Sequence, residues 1–237
     1  SGVLYHGAWV SSILGARPDN GMGMAGVAPN TELVAGRVGD CFGNVDLADV
    51  ATGIHWLAGE TVPGPGYTIT PVDVINISIA TTGGATCPAY VQDAINIANS
   101  KGIVIVIAAG NSMVDASNIA PGNCNNVVNV AATSHDGLLA NYTNTGSVVD
   151  IVATGSQVFA LSNNDETTYV SGTSFAAPVV AATIANIKQL FPSLTTTDFD
   201  IGIASAGNPI NPESKPSMGH GAGILDAMQL ADNMGVP

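Results

Sequence analysis

The stretch "IVIVIAAG", residues 103–110, decides the fold class. It lacks the in-and-out alternation of a half-exposed strand, is rich in β-branched residues, and ends in a glycine. Such a run suits a strand buried on both faces of a parallel sheet. Working outward, "ELVAGRV" (32–38), "VDVINISI" (72–79), "VVNVAAT" (127–133) and "VVDIVATG" (148–155) read the same way. Between or after them, "VDLADVATGIHWLAG" (45–59), "AYVQDAINIANSKG" (89–102) and "SFAAPVVAATIANIKQLF" (174–191) read as helices. The alternation predicts an α/β, doubly wound, mostly parallel sheet with helices on both faces and right-handed crossovers. In such a sheet, sites lie in the crevice beyond the carboxyl ends of the strands.

The rest of the composition fits one domain over residues 1–237, with no internal repeat and with "PGPG" (63–66) as a surface loop. Hydrophobic residues make up 46% and charged residues 10%, which excludes a disordered chain. Five Lys+Arg against 18 Asp+Glu give a formal charge of −13. No basic patch can be assembled from so few cations, so neither nucleic acid nor an anionic membrane is an expected partner. The apolar runs are too short to span a bilayer. No charged region followed by an apolar stretch opens the chain, so an export signal is expected to have been removed. The composition suits a secreted protein, where disulfides persist. Of Cys41, Cys87 and Cys124, one pair would leave one thiol over. No Cys-x-x-Cys is present, which argues against structural zinc, and no metal ligands are assigned.

Three residues could carry chemistry. In "YVSGTSFAAPVV" (169–180) a short strand runs into Ser174, where a long apolar helix begins. A serine there sits among unpaired N–H groups at the positive end of the helix dipole, a setting that stabilises an oxyanion. In "VIVIAAGNS" (104–112) a buried strand ends in small residues and presents Asn111, whose carboxamide can donate to an oxyanion. His6 heads "HGAWVSSILGA", where Val10, Ile13 and Leu14 recur at helical spacing, and histidine is the usual general base near neutral pH. His55 in an apolar helix and His135 in a turn carry no such context.

Taken in order, these blocks resemble the subtilisin-like serine proteases, the subtilases, and in particular their cysteine-containing, secreted bacterial subgroup. "HGAWVSSI" is similar to that family's His-Gly-Thr-His-Val-Ala-Gly block, "AAGN" to its oxyanion-hole segment and "SGTSFAAP" to its nucleophile block. "NGMGMAGVAPNTELVAGRV" (20–38), "VINISIA" (74–80) and "GHGAGILDAMQLA" (219–231) resemble further family segments. The resemblance implies a secreted serine endopeptidase, a hydrolase of peptide or protein substrates. Ser174 would be the nucleophile, His6 the general base and Asn111 the oxyanion donor. It implies that Ser78, Ile79 and Ala80 pair with the substrate backbone and, with Ala108, Ala109 and Gly110, wall the S1 pocket. Their small neutral side chains suit an apolar or broadly tolerated P1 residue. No cofactor is needed for that chemistry. Many subtilases bind structural calcium, and a pro-segment or inhibitor is a further expected partner type. One departure is Trp9, a bulky ring in the base block.

The family order is Asp, His, Ser, yet no acidic residue precedes His6. Asp19 and Asp40 match other family segments, as does Asp226, the sole candidate for a permuted order. The resemblance implies a disulfide between Cys87 and Cys124, and a partner for Cys41 upstream of the catalytic histidine. The expectation is therefore a companion N-terminal segment that carries the Asp on its own strand and a cysteine for Cys41. Removing an interior strand would cost more than the usual ~5–15 kcal/mol margin of stability. Two alternatives stand beside this. One is an Asp-less, catalytically impaired pseudo-protease that binds peptides, slower by about 10⁴-fold if it still turns over. The other is an α/β-hydrolase esterase using Ser174, Asp200 and His220, although Gly172-Thr173-Ser174-Phe175-Ala176 is not a Gly-x-Ser-x-Gly elbow.

Overall fold

A computed structural model of the chain describes residues 5–64, 66–162, 166–214 and 219–236. In chain order these form α1 (His6–Gly15), α2 (Leu47–Leu57), β1 (Val74–Ile77), α3 (Ala89–Ser100), β2 (Val104–Ala108), β3 (Val128–Thr133) and β4 (Ile151–Thr154). There follow β5 (Val158–Leu161), β6 (Thr167–Val170), α4 (Thr173–Leu190), α5 (Thr196–Ile203), β7 (Gly207–Asn208), β8 (Ile224–Leu225) and α6 (Ala227–Asn233). Six strands make one sheet in the order β1-β2-β3-β4-β8-β7. All its pairings are parallel except β7 with β8. β5 and β6 form a separate antiparallel hairpin.

The unbroken apolar run that opened the sequence reading has a direct physical cause. Every residue of β2 is buried. Val104, Val106 and Ala108 pack with α4, α5 and α6 residues such as Val180, Ile184, Phe199 and Leu230. Ile105 and Ile107 point the other way, onto Val50 and Ile54 of α2 and Val91 and Ile95 of α3. Side chains alternate between faces along a strand, so a sheet covered by helices on both faces demands apolar residues at every position. Burying each such Ile or Val contributes about 1.5–3 kcal/mol.

Short-range chemistry sets the ends of the helices. Asp46 accepts from the Ala48 N–H at the start of α2. Thr195 and Asp198 form a reciprocal capping box on α5, and Asp226 accepts from Gln229 N at the start of α6. At the end of α4 the buried Lys188 donates from Nζ to the carbonyls of Gly102 and Leu194, each at 2.8 Å, and of Pro192 at 3.3 Å.

One expected strand is corrected. Residues 32–38 make no ladder with any described strand, and residues 31–37 are exposed. A lone bridge joins Gly39 to Val45. β1 pairs with β2 alone among the described residues, which leaves its other edge without a ladder. Between the two lies a cavity of about 80 Å³, lined by Gly36 and Val38, by Ile54 and Leu57 of α2, and by Ile75, Ile77 and Ser78. Backbone N–H and C=O groups form a strand only where a neighbour satisfies them, and none of the described residues does so here.

Candidate active site

β1 and β2 run parallel and in register, so their carboxyl ends open at the same edge of the sheet. The chain leaving β1 carries Ser78, Ile79 and Ala80, and the chain leaving β2 carries Ala109, Gly110 and Asn111. α4 packs across β1, β2 and β3 with Ser174 in its first turn, and α1, headed by His6, packs on α4. Four segments distant in sequence thus converge on one crevice.

Ser174 is tied to the end of β1 by a reciprocal pair. Its Oγ donates to the Ser78 carbonyl at 3.2 Å, and Ser78 Oγ donates to the Ser174 carbonyl at 2.7 Å. Asn76 Nδ2 donates in turn to Ser78 Oγ at 2.9 Å. The backbone turns into α4 at Gly172, whose φ of 156° has no side chain to accommodate. A Cβ there would stand 3.3 Å from Asn111 Nδ2.

Asn111 is oriented by Thr173, a residue the sequence reading did not single out. The Thr173 N–H and Oγ1 both donate to Asn111 Oδ1, at 2.8 and 3.0 Å. Thr173 Oγ1 also accepts from Gly110 N at 3.0 Å. With its oxygen occupied twice, Asn111 presents Nδ2 beside Gly172 as a donor with no acceptor among the described residues.

A second unforeseen residue, Asn144, is fully buried under the same loop. Its Nδ2 donates to the Ala109 carbonyl at 2.8 Å, and its Oδ1 accepts from Ser112 N at 2.9 Å and Val114 N at 3.1 Å. Gly110 has φ of 99°, and a Cβ on it would lie 2.4 Å from Asn144 Nδ2, so only glycine fits. Nothing in "NYTNTG" (141–146) distinguishes this asparagine from a turn residue before folding.

His6 is half-buried against the residue that follows Ser174: the His6 and Phe175 ring centroids are 5.5 Å apart. Burial pulls its pKa below the ordinary histidine value, favouring the neutral imidazole. Among the described residues no carboxylate bonds to it. Asp40 is engaged by Phe42 N, Asn44 N and Asn44 Nδ2, and Asp226 by Gln229 N and Asn208 Nδ2.

The remaining expected residues divide. Ala80 and Gly110 approach closely, the Ala80 Cβ lying 3.3 Å from where a Gly110 Cβ would be, so the two proposed walls meet. Ala108 and Ala109 are buried behind them. Cys87 and Cys124 form a disulfide, and Cys41 is a free, exposed thiol. The Ser174/Asp200/His220 set is not assembled. Asp200 lies on α5, near enough to Asp150 at the amino end of β4 to act on its charge, whereas Ser174 bonds at the carboxyl end of β1. Asp200 Oδ1 and His220 Nδ1 also have no bonding partner among the described residues. No group of three or more His, Cys, Asp or Glu side chains able to hold a metal occurs among the described residues. No helix among them is long and apolar enough to cross a membrane.

The family profile for Peptidase S8, the subtilase family, matches residues 1–219. The chain belongs to the subtilase family. This subtilase chain is 37% identical over 232 residues to an extracellular protease of Xanthomonas campestris, covering 94% of the chain and 39% of that relative. It is 33% identical over 235 residues to an extracellular basic protease of Dichelobacter nodosus, covering 94% of the chain and 38% of that relative. The chain therefore spans about two fifths of the length of these curated relatives. A solved protease structure from Pseudoalteromonas arctica superposes with a TM-score of 0.87 at 37% identity, covering 97% of this subtilase chain and 70% of that one. A cold-adapted subtilisin-like serine proteinase superposes with a TM-score of 0.76 at 26% identity, covering 94% of this chain and 76% of that one.

Proposed function

We propose that this subtilase chain forms the catalytic crevice of a secreted serine endopeptidase. The reaction begins as the Ser174 hydroxyl rotates away from the Ser78 carbonyl, and a ring nitrogen of His6 takes its proton. The Ser174 oxygen attacks the scissile carbonyl carbon. The resulting oxyanion accepts hydrogen bonds from Asn111 Nδ2 and from the Ser174 N–H, a first-turn amide with no intrahelical acceptor. Collapse of the intermediate expels the amine, which takes the proton from the His6 imidazolium. Water then hydrolyses the acyl-enzyme by the same route. These steps use side-chain and backbone groups alone. Ser78, Ile79 and Ala80 pair with the peptide, and the small surface at Ala80 and Gly110 accepts an apolar or varied P1 side chain.

The observation that carries this reading is the fixed carboxamide of Asn111, its oxygen held by Thr173 and its nitrogen, with no acceptor among the described residues, beside the start of α4. A fluorophosphonate probe tests it. Labelling at Ser174 that disappears in Ser174→Ala and falls steeply in His6→Ala supports the reading. A protein that never labels refutes it in favour of a peptide-binding pseudo-protease, a reading favoured by the contact of Ser174 Oγ with Ser78 O in place of an imidazole.

The acid that orients His6 is proposed to lie on a companion segment that also supplies a cysteine to Cys41. The open edge of β1, the unladdered segment 32–38 and the exposed Cys41 thiol support it. Intact mass under denaturing conditions, with and without reductant, tests the tether. Release of a peptide on reduction supports it, and one unchanged species at 23.7 kDa in both conditions rules it out.

A further inference from the structure

His6 is held by packing. Among the described residues none hydrogen-bonds to its ring, and Tyr5, the residue preceding α1, supplies no side-chain cap. What the imidazole meets is Phe175, at a centroid distance of 5.5 Å and an interplanar angle of 48°. Phe175 is 4% exposed and adjoins Ser174 on α4, so the ring touching the proposed base moves with the proposed nucleophile. Trp9 lies three residues after His6, on the same side of α1, and packs its indole against Phe175 at 6.3 Å and 61°. Trp9 Nε1 is buried with no acceptor among the described residues, so the indole contributes shape here rather than a polar bond. Val10, Ile13, Ala160 and Val170 belong to the same buried apolar cluster as Phe175.

We propose that Phe175, braced by Trp9, is a positioning residue for His6: its ring holds the imidazole against the start of α4 and keeps water from one face of it. The proposal rests on the reading of His6 as the general base. The lowered pKa of His6 has burial as its cause, in keeping with an apolar ring packed on it. Among the described residues of the elements packed on His6, no other charge competes. α1 holds no second ionisable side chain, β5 holds none and β6 holds only the exposed Tyr169. On α4 the sole one, Lys188, is engaged with carbonyls in the last turn.

The test compares Phe175→Leu, Trp9→Leu and Trp9→Phe in the full-length protein. Phe175→Leu is expected to lower kcat about tenfold with KM within about twofold, because misplacement of a base costs turnover and not binding. The acid limb of the kcat/KM profile is expected to move to higher pH as the imidazole gains solvent. Trp9→Leu reproduces part of both effects, and Trp9→Phe restores them. An NMR titration of His6 in a Ser174→Ala background reads the same upward shift without requiring activity. A folded Phe175→Leu protein whose kcat, acid limb and His6 titration all match the parent overturns the proposal. An inactive parent in which the titration still moves rejects the protease reading while upholding the aromatic support. Should Phe175→Leu fail to fold, equal rates and titrations for Trp9→Leu and Trp9→Phe overturn it instead.

Discussion

Thr173 grips Asn111 across 62 residues of sequence, sending its N–H and its hydroxyl to the same carboxamide oxygen. The pair joins the end of β2 to the start of α4, and it determines which end of the amide faces the crevice. In the proposed chemistry that orientation is the difference between a donor and an acceptor at the oxyanion.

Removing the donor itself gives the first expectation. Asn111→Ala should lower kcat by about 10²–10³-fold and leave KM within a few-fold, since the bond forms chiefly in the transition state. Steady-state kinetics on a peptide substrate check it, and a large rise in KM at constant kcat would assign Asn111 to substrate binding instead.

Thr173→Val tests the grip. The substitution nearly preserves shape, leaves the N–H bond to Asn111 in place, and deprives the buried Gly110 N–H of its acceptor. Stability should fall by about 1–3 kcal/mol in denaturant titrations. kcat should fall by about tenfold or more as the carboxamide gains freedom to turn.

Two half-buried carboxyls make a prediction about pH. Burial pushes Asp200 up to about 6, and burial together with the nearby Asp200 charge pushes Asp150 up to about 6 despite a bond from Asn129 N. A carboxyl whose folded pKa lies above its unfolded value binds its proton more tightly when folded. Its contribution is present below the unfolded pKa of about 4 and is lost as pH rises through about 6. Asp200→Asn should therefore stabilise the protein at pH 8, by on the order of 1 kcal/mol once water screening of this half-exposed group is allowed for. It should do little at pH 4, and equal effects at both would show that the charge is not the cause.

Lys188→Met removes three donated hydrogen bonds from one buried ammonium and leaves the carbonyls of Gly102 and Leu194 without that donor. The expected loss is about 2–3 kcal/mol, read as a lower denaturant midpoint at unchanged slope. The proposed catalytic crevice lies at the other end of α4, so kcat should hold.

The disulfide offers a further check. Cys87 and Cys124 close a loop with a sequence separation of 37, and replacing both with alanine should cost about 3–4 kcal/mol of stability. Alkylation of the folded, unreduced protein should modify neither of them.

The elements read most accurately from sequence were those whose pattern has a local cause. β2 was legible because burial on both faces leaves no polar position, β3 because it is apolar apart from Asn129 and Thr133, and α4 because its apolar run begins at a glycine-threonine-serine step. β5 escaped notice, and β6 was read only as the short strand before Ser174 and not as its hairpin partner, since four-residue, partly exposed strands carry little periodicity. Residues 32–38 misled for the opposite reason: their composition is that of a strand, but pairing is a property of the neighbour.

By itself the sequence determined the fold class, the family and the identities of Ser174, His6 and Asn111 as the residues to inspect, because residue types and their local spacing are enough for that. Only the tertiary structure decided that Thr173 turns the Asn111 amide, that Asn144 supports the loop beneath it, and that the Phe175 ring packs against both His6 and Trp9. Those relationships depend on distances of a few ångströms between segments up to 169 positions apart along the chain, as from His6 to Phe175. Hydrogen bonding and ring packing act through space, and no local pattern in a sequence encodes which distant partner will be within reach.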